Sequence, residues 1–108
     1  TLRYTGISHL TLVLDINSSG KATCIGTVKP NDSTYTSYLL LQLGKYVNGQ
    51  WQEVNSWTAS GVGFSGANIC KERYVTSGDY ALRLEAKVYD ANNTLLDNVV
   101  RFSSLQSY

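Results

Sequence analysis

The chain has 108 residues, a length that suits one domain spanning residues 1–108. Only 16% of the residues are charged, the net charge is +1, and both signs are scattered along the sequence. A nucleic-acid-binding protein normally carries a clustered basic surface, and none is visible here. No apolar run approaches the roughly 18 residues needed to span a bilayer. We therefore expect neither nucleic-acid binding nor membrane insertion.

The polar residues are mainly Ser, Thr, Asn, Gln and Gly, and the chain adds eight Tyr and two Trp. This composition is typical of an exposed β surface, whereas helices are usually coated with Lys, Glu and Arg. Met is absent and the sequence begins at Thr1. We expect a processed mature chain or an excised domain of a secreted, extracellular protein.

Alternation of apolar and polar residues predicts strands along the whole chain. In the third strand, for example, Leu39, Leu41 and Leu43 should face inward. Asn48-Gly49 is a strong hairpin signal, because both positions of a type I′ turn need positive φ. The glycine-rich segment 59–66 is interpreted as a loop or an irregular edge. The predicted strands are Leu10–Ile16, Lys21–Lys29, Tyr35–Val47, Trp51–Trp57, Asn68–Val75, Tyr80–Tyr89 and Leu95–Ser103.

Seven short strands with frequent turns and no helical period favour an all-β antiparallel sandwich. A five-stranded barrel of the oligonucleotide-binding type is the structural alternative. In the second strand Ala22, Cys24, Gly26 and Val28 share a face, and their small size indicates a facing layer packed closely over them.

The stretch from Tyr74 to Val88 reads Tyr-Val-Thr-Ser-Gly-Asp-Tyr-Ala-Leu-Arg-Leu-Glu-Ala-Lys-Val. It resembles the entry to strand F of fibronectin type III domains. The resemblance implies a seven-stranded immunoglobulin-like (fibronectin type III-like) sandwich, with a tyrosine corner at Tyr80 whose hydroxyl bonds to upstream backbone. The Trp common on the second strand of that family is missing here. The antibody pattern of Cys, Trp and Cys also fails, because Cys70 falls on the fifth strand.

Three further segments are Tyr4-Thr-Gly-Ile7, Gly20-Lys-Ala-Thr-Cys24 and Tyr74-Val-Thr-Ser-Gly78. In these the chain is similar to small secreted domains of Gram-positive gut bacteria. The similarity implies a bacterial, secreted protein and leaves its activity open.

Cys24 and Cys70 form an even pair in a small polar domain, and extracellular proteins convert such pairs into disulfides. We expect a Cys24–Cys70 bridge between neighbouring strands of one sheet. The alternative is two thiols that never meet, because Cys24 lies on the small-residue face while Cys70 alternates against Ile69. If the two faces differ, no bridge forms without a bulge.

No catalytic or metal-binding signature stands out. His9 is the single histidine, and no Gly-x-Ser-x-Gly segment presents a nucleophile for it. The segment 61–66 has the spacing Gly-x-Gly-x-x-Gly but opens no predicted helix, so a phosphate-binding role is rejected. The segment 15–20 lacks the downstream Glu of a calcium loop. Glu53, Glu72 and Glu85 suggest no carboxylate pair. We expect a protein without enzymatic activity, cofactor or metal.

The third, fourth, sixth and seventh strands of such a sandwich share a sheet, and its outer face collects the residue types that most often anchor interfaces. The same residues would also make ordinary cross-strand pairs on any β surface. The candidate binding face consists of Tyr38, Leu40, Gln42, Arg83, Glu85, Lys87 and Tyr89, with Trp51 or Trp57 beside them.

The function expected from this face is recognition of another protein, on a host or a cell surface. A carbohydrate-binding module, with aromatic side chains stacking on sugar rings, is an alternative. A free, hormone-like polypeptide acting on a host receptor is another, since some fibronectin type III domains circulate as signals. A structural spacer within a larger surface protein is the fourth.

Overall fold

A computed structural model describes residues 4–108 as an elongated all-β molecule measuring 45 × 23 × 23 Å. No helix in this range is long and apolar enough to cross a membrane. The strands are β1 (Ile7–Ile16), β2 (Lys21–Pro30), β3 (Thr36–Val47), β4 (Gln50–Val62), β5 (Ala67–Tyr74), β6 (Asp79–Tyr89), β7 (Leu95–Phe102) and β8 (Gln106–Ser107).

Two antiparallel sheets pack face to face in a sandwich-like arrangement. One has the strand order β1-β2-β5, and the other has the order β4-β3-β6-β7, with the short β8 also pairing with β6. The third, fourth, sixth and seventh strands therefore share a sheet, as predicted. The chain crosses from one sheet to the other between β2 and β3, β4 and β5, and β5 and β6.

The core lies between the inner faces of the two sheets, where alternate residues of each strand are buried. The most central contact joins β2 to the opposite sheet at Gly26. A Cβ added at Gly26 would lie 3.2 Å from Leu41 Cδ1 and 3.4 Å from Leu84 Cδ1, so these leucines pack against bare backbone. The predicted close layer over the small residues of β2 is confirmed. The buried apolar core comprises Ile7, Leu14, Ala22, Cys24, Val28, Leu39, Leu41, Leu43, Ala67, Ile69, Tyr80, Leu82, Leu84, Ala86 and Val88.

Each of the seven predicted strands has a counterpart in β1 to β7. Asn48 and Gly49 have φ values of 53° and 78°, as a type I′ turn requires. The fourth strand differs from its prediction, because it continues to Val62, where it pairs with Thr36. The irregular segment is limited to residues 63–66. The two-residue β8 was not predicted.

A β-bulge interrupts the pairing of β3 with β4. Leu43 lies opposite Asn55 and Gly44 lies opposite Glu53, so Val54 is an extra residue on β4. One extra residue reverses the alternation of side chains. After Val54 the odd-numbered residues of β4 lie on the inner face of the sheet, and before Val54 the odd-numbered residues lie on the outer face.

The turn before β6 is held by a tyrosine corner. The Tyr80 hydroxyl donates a hydrogen bond of 2.7 Å to the backbone carbonyl oxygen of Thr76, and the Tyr80 side chain is almost fully buried. This is the arrangement that the fibronectin type III resemblance implied for Tyr80.

Replacing Leu41 or Leu84 by Ala should lower the free energy of unfolding by about 2–5 kcal/mol, because both side chains are fully buried. They are cross-strand neighbours on the inner face of one sheet, on β3 and β6. Leu40→Ala is the matched control, since Leu40 lies on the outer face and is only partly covered. Chemical denaturation of the three variants checks the order. A larger loss for Leu40→Ala than for the other two would contradict this register.

Candidate functional site

The outer face of the β4-β3-β6-β7 sheet carries all seven predicted binding-face residues. Neighbouring strands pair Tyr38 with Lys87 and Leu40 with Glu85. Gln42 pairs with Arg83 in the next row. Tyr89 lies one row beyond Tyr38, opposite Thr36. Of these seven residues, Tyr38 is exposed and the other six are partly buried. The predicted residues thus form a contiguous patch.

A polar ladder crosses the middle of this face. Gln42 Nε2 donates a hydrogen bond of 2.7 Å to Glu53 Oε1 on β4. Arg83 Nη1 on β6 donates a hydrogen bond of 2.8 Å to Gln42 Oε1 and lies 3.9 Å from Glu85 Oε1. The Gln42 amide therefore links three strands, and Arg83 is held in place by neighbours on two of them. A guanidinium positioned in this way loses little conformational entropy when it binds a partner.

Only one of the two tryptophans lies on this face. Trp57 pairs with the buried Leu41 and packs against the core. Trp51 lies on the other side of the bulge, and its ring covers the outer face of Gly44, where an added Cβ would lie 1.9 Å from Trp51 Cε2. The Trp51 ring also meets the Phe102 ring edge-on, with centroids 6.4 Å apart. Gly44 thus gives an aromatic side chain from the edge strand room to reach across the sheet.

Sequence reasoning missed the contribution of β7 to this face. Phe102 pairs with Arg83 and Val100 pairs with Glu85, and 56% of Phe102 and 44% of Val100 are exposed. Alternation alone could not show which side chains of β7 point outward. A register shift between Val88 and Tyr89 means that the pairing of β7 with β6 cannot be counted residue by residue from the turn. The run Val99-Val100 offers no alternation of its own. The structure therefore adds two apolar neighbours to Arg83 and Glu85.

The predicted Cys24–Cys70 disulfide is wrong, because both cysteines are free. Cys24 lies opposite Lys71, and Cys70 lies opposite Ile25. The offset of one position places the two side chains on opposite faces of the sheet, Cys24 in the core and Cys70 exposed. Burial raises the pKa of the Cys24 thiol to about 11, and the nearby Cys70 adds to this rise.

The remaining residues considered for chemistry are found in structural roles. His9 is exposed and lies with Nδ1 3.4 Å from the Ser8 hydroxyl. Asn17 Oδ1 accepts hydrogen bonds from the backbone N–H groups of Ser19 and Lys21, which closes the turn between β1 and β2. In the segment 61–66, Gly61 lies within β4, and Gly63 and Gly66 belong to the crossover from β4 to β5. Residues 4–108 contain no pocket and no cluster of three or more His, Cys, Asp or Glu side chains suited to a metal.

No model of a protein family matches the sequence, and no curated protein matches it.

The two thiols should differ sharply in reactivity. In the folded protein a thiol reagent such as iodoacetamide should label Cys70 and leave Cys24 unmodified, because Cys24 is fully buried and its pKa is raised. In denaturant both should react. Intact mass measured after each treatment gives the result. A folded protein with no reactive thiol under non-reducing conditions would contradict the free-cysteine arrangement, and a Cys70→Ser variant identifies the site of labelling.

Proposed function

We propose that this chain is a secreted, non-catalytic binding module that recognises another protein, on a host or a cell surface, through the outer face of the β4-β3-β6-β7 sheet. The observation that carries the proposal is the setting of Arg83. Its guanidinium is fixed by Gln42, and on the neighbouring strand β7 the exposed Phe102 pairs with Arg83 and the exposed Val100 pairs with Glu85. A positioned Arg among aromatic and aliphatic groups is the usual composition of an interface hot spot.

The fold proposed for this module is the fibronectin type III-like member of the immunoglobulin-like sandwiches. The strand orders β1-β2-β5 and β4-β3-β6-β7 support it, since they match the two sheets that such a domain would have. The hydrogen bond from Tyr80 to Thr76 is further support. The short β8 adds an eighth strand to the seven expected.

A protein partner suits the face better than a carbohydrate does. Sugar-binding platforms rely on exposed aromatic rings. On this face the exposed Tyr38 and Phe102 lie on strands that are not neighbours, and Trp51 meets Phe102 edge-on, so the two rings do not form one flat platform. The row of residues between them consists of Leu40 on β3, Glu85 on β6 and Val100 on β7, and two of these three are aliphatic. Aliphatic side chains add apolar area to a protein interface but give a sugar ring no flat surface to stack on.

The extracellular location rests on composition and on the resemblance to secreted bacterial domains. The low charge and the abundance of Ser, Thr and Asn support it. The cysteines add nothing to this argument, because they are unpaired.

A double variant, Tyr38→Ala with Arg83→Ala, should abolish binding while the melting temperature stays within about 5 °C of the parent value. Neither side chain belongs to the core, and the hydrogen bond from Arg83 to Gln42 is only partly buried, so its loss should cost little stability. The labelled domain is applied to an array of recombinant cell-surface ectodomains and to a glycan array, and the double variant is applied to both in parallel.

The matched control is Thr11→Ala with Thr27→Ala, two paired residues on the outer face of the other sheet. We expect protein hits that survive the control and disappear with the double variant. Hits confined to glycans, or protein hits that the double variant retains, would overturn the proposal.

A further inference from the structure

The free edge of β4 is long and almost without charge. β4 runs for 13 residues from Gln50 to Val62, contains no proline, and has one charged residue, Glu53. Beyond the bulge, residues 55–62 have no charge at all. Within residues 4–108 the strand pairs only with β3. An edge of this kind exposes backbone N–H and C=O groups that can pair with another strand.

The other edges carry the features by which proteins prevent such pairing. On β5 three consecutive charged residues, Lys71, Glu72 and Arg73, are all exposed. On β1 the register shifts between Ile7 and His9. The edge of β7 has a register shift opposite Val88 and Tyr89. Charges and irregular pairing both discourage edge-to-edge association. β4 has a register shift of its own at Val54, but residues 55–62 lie beyond it and carry no charge, so this half of β4 is the edge best suited to accept a strand.

The backbone groups available on β4 follow from its ladder with β3. The N–H of Gly63 donates to the carbonyl oxygen of Tyr35, so Gly63 directs its N–H toward β3. In an antiparallel ladder the direction alternates from one residue to the next. Ala59 and Trp57 therefore bond to β3, while Ser56, Thr58 and Ser60 direct their N–H and C=O groups away from the sheet.

We propose that a second copy of this chain occupies this edge, with the two β4 strands paired antiparallel about a two-fold axis at Thr58. Thr58 then lies opposite Thr58 of the second copy, and Ser56 lies opposite Ser60. The Ser56 N–H donates to Asn55 Oδ1 at 2.9 Å within the single chain. The pairs therefore form about four backbone hydrogen bonds without it, and about six when it exchanges that partner for the second copy. Glu53 of each copy lies outside the paired segment, so the two carboxylates do not face each other. A two-fold axis is the usual symmetry of a homodimer.

The side chains of β4 are self-complementary in this register. On the outer face, hydroxyl groups meet hydroxyl groups at the Thr58 and Ser56–Ser60 pairs, which are favourable cross-strand combinations. On the inner face, Trp57 of one copy lies opposite Ala59 of the other, so a large side chain meets a small one. With the two-fold axis at Trp57 instead, Trp57 of one copy would lie directly opposite Trp57 of the other, and the two indole rings would compete for the same space. The axis at Thr58 is the arrangement that avoids this.

The pairing does not use the candidate binding face. An edge-to-edge strand addition extends the sheet in its own plane, and a two-fold axis perpendicular to the sheet keeps both outer faces on the same side. The dimer therefore presents two copies of Tyr38 and Arg83 in one direction. Dimer formation and partner binding can therefore be lost separately. Thr58→Pro should remove the dimer without changing the face, and the Tyr38→Ala and Arg83→Ala variant should change the face without removing the dimer.

Proline substitutions distinguish the free side of β4 from the bonded side. Thr58→Pro removes an N–H group that has no partner within residues 4–108, so the fold should be retained. It should raise the dimer dissociation constant at least about tenfold, because each copy loses one intermolecular hydrogen bond. Sedimentation velocity over a concentration series measures the association of the 11.9 kDa chain. Circular dichroism measures folding.

Ala59→Pro is the matched control, because it removes an N–H that bonds to β3. We expect this variant to melt at a lower temperature, whereas Thr58→Pro keeps the parent melting temperature. A parent protein that remains monomeric throughout the series would overturn the inference. A Thr58→Pro variant that dimerises as tightly as the parent would overturn it as well.

Cysteine cross-linking tests the register. In a Cys70→Ser background, Thr58→Cys should form a covalent dimer on mild oxidation, because the Cα atoms of a hydrogen-bonded pair lie about 5.5 Å apart, within disulfide range. Ser60→Cys should not, since residue 60 and its copy are offset by about 13 Å along the strands. Non-reducing electrophoresis separates these results. Efficient cross-linking of Ser60→Cys, or none for Thr58→Cys, would refute pairing about Thr58.

Discussion

The approach of the two sheets at Gly26 is the constraint on which the rest of the structure depends. Because Gly26 has no side chain, Leu41 and Leu84 lie directly against the backbone of β2. These leucines are neighbours on β3 and β6, the central strands of the larger sheet. Their position fixes which residues of both strands point inward, since alternate side chains must follow. A larger side chain at Gly26 would separate the sheets or force the leucines from their rotamers, and either change costs stability.

The composition of the outer face is a consequence of the same alternation. With the odd-numbered leucines of β3 inside, Tyr38, Leu40 and Gln42 must lie outside, and Arg83 follows on β6. Packing does not dictate the identity of these outer residues, and hydrogen bonds position the polar ones among them, Gln42 and Arg83. The amide of Gln42 both donates to Glu53 and accepts from Arg83, which fixes the conformation of all three side chains. The face is therefore ordered by polar contacts although it is not buried.

Alternation in the sequence was sufficient to predict the inner faces of β2, β3 and β6 and the seven residues of the candidate face. It failed where the structure contains a shift of one residue. Trp51 and Trp57 are six positions apart and should share a face, yet the bulge at Val54 places them on opposite faces. For the cysteines alternation was the better guide, because Cys70 alternates with the buried Ile69 and so lies on the face opposite to Cys24; the expectation of a bridge came from composition and was wrong. Bulges and crossovers are set by tertiary packing and leave little local signal.

The two sheets also differ in how they use the few charged residues of the chain. The smaller sheet has Lys71, Glu72 and Arg73 on its β5 edge, and a salt bridge of 2.9 Å joins Lys21 to Glu72 across its surface. Such charges oppose both strand addition and apolar contact. In the larger sheet the charged side chains of the ladder satisfy one another and leave the apolar groups beside them uncovered. The exposed apolar groups beside the ladder, Phe102 and Val100, are the reason why the outer face of the larger sheet is the surface that we propose for contact.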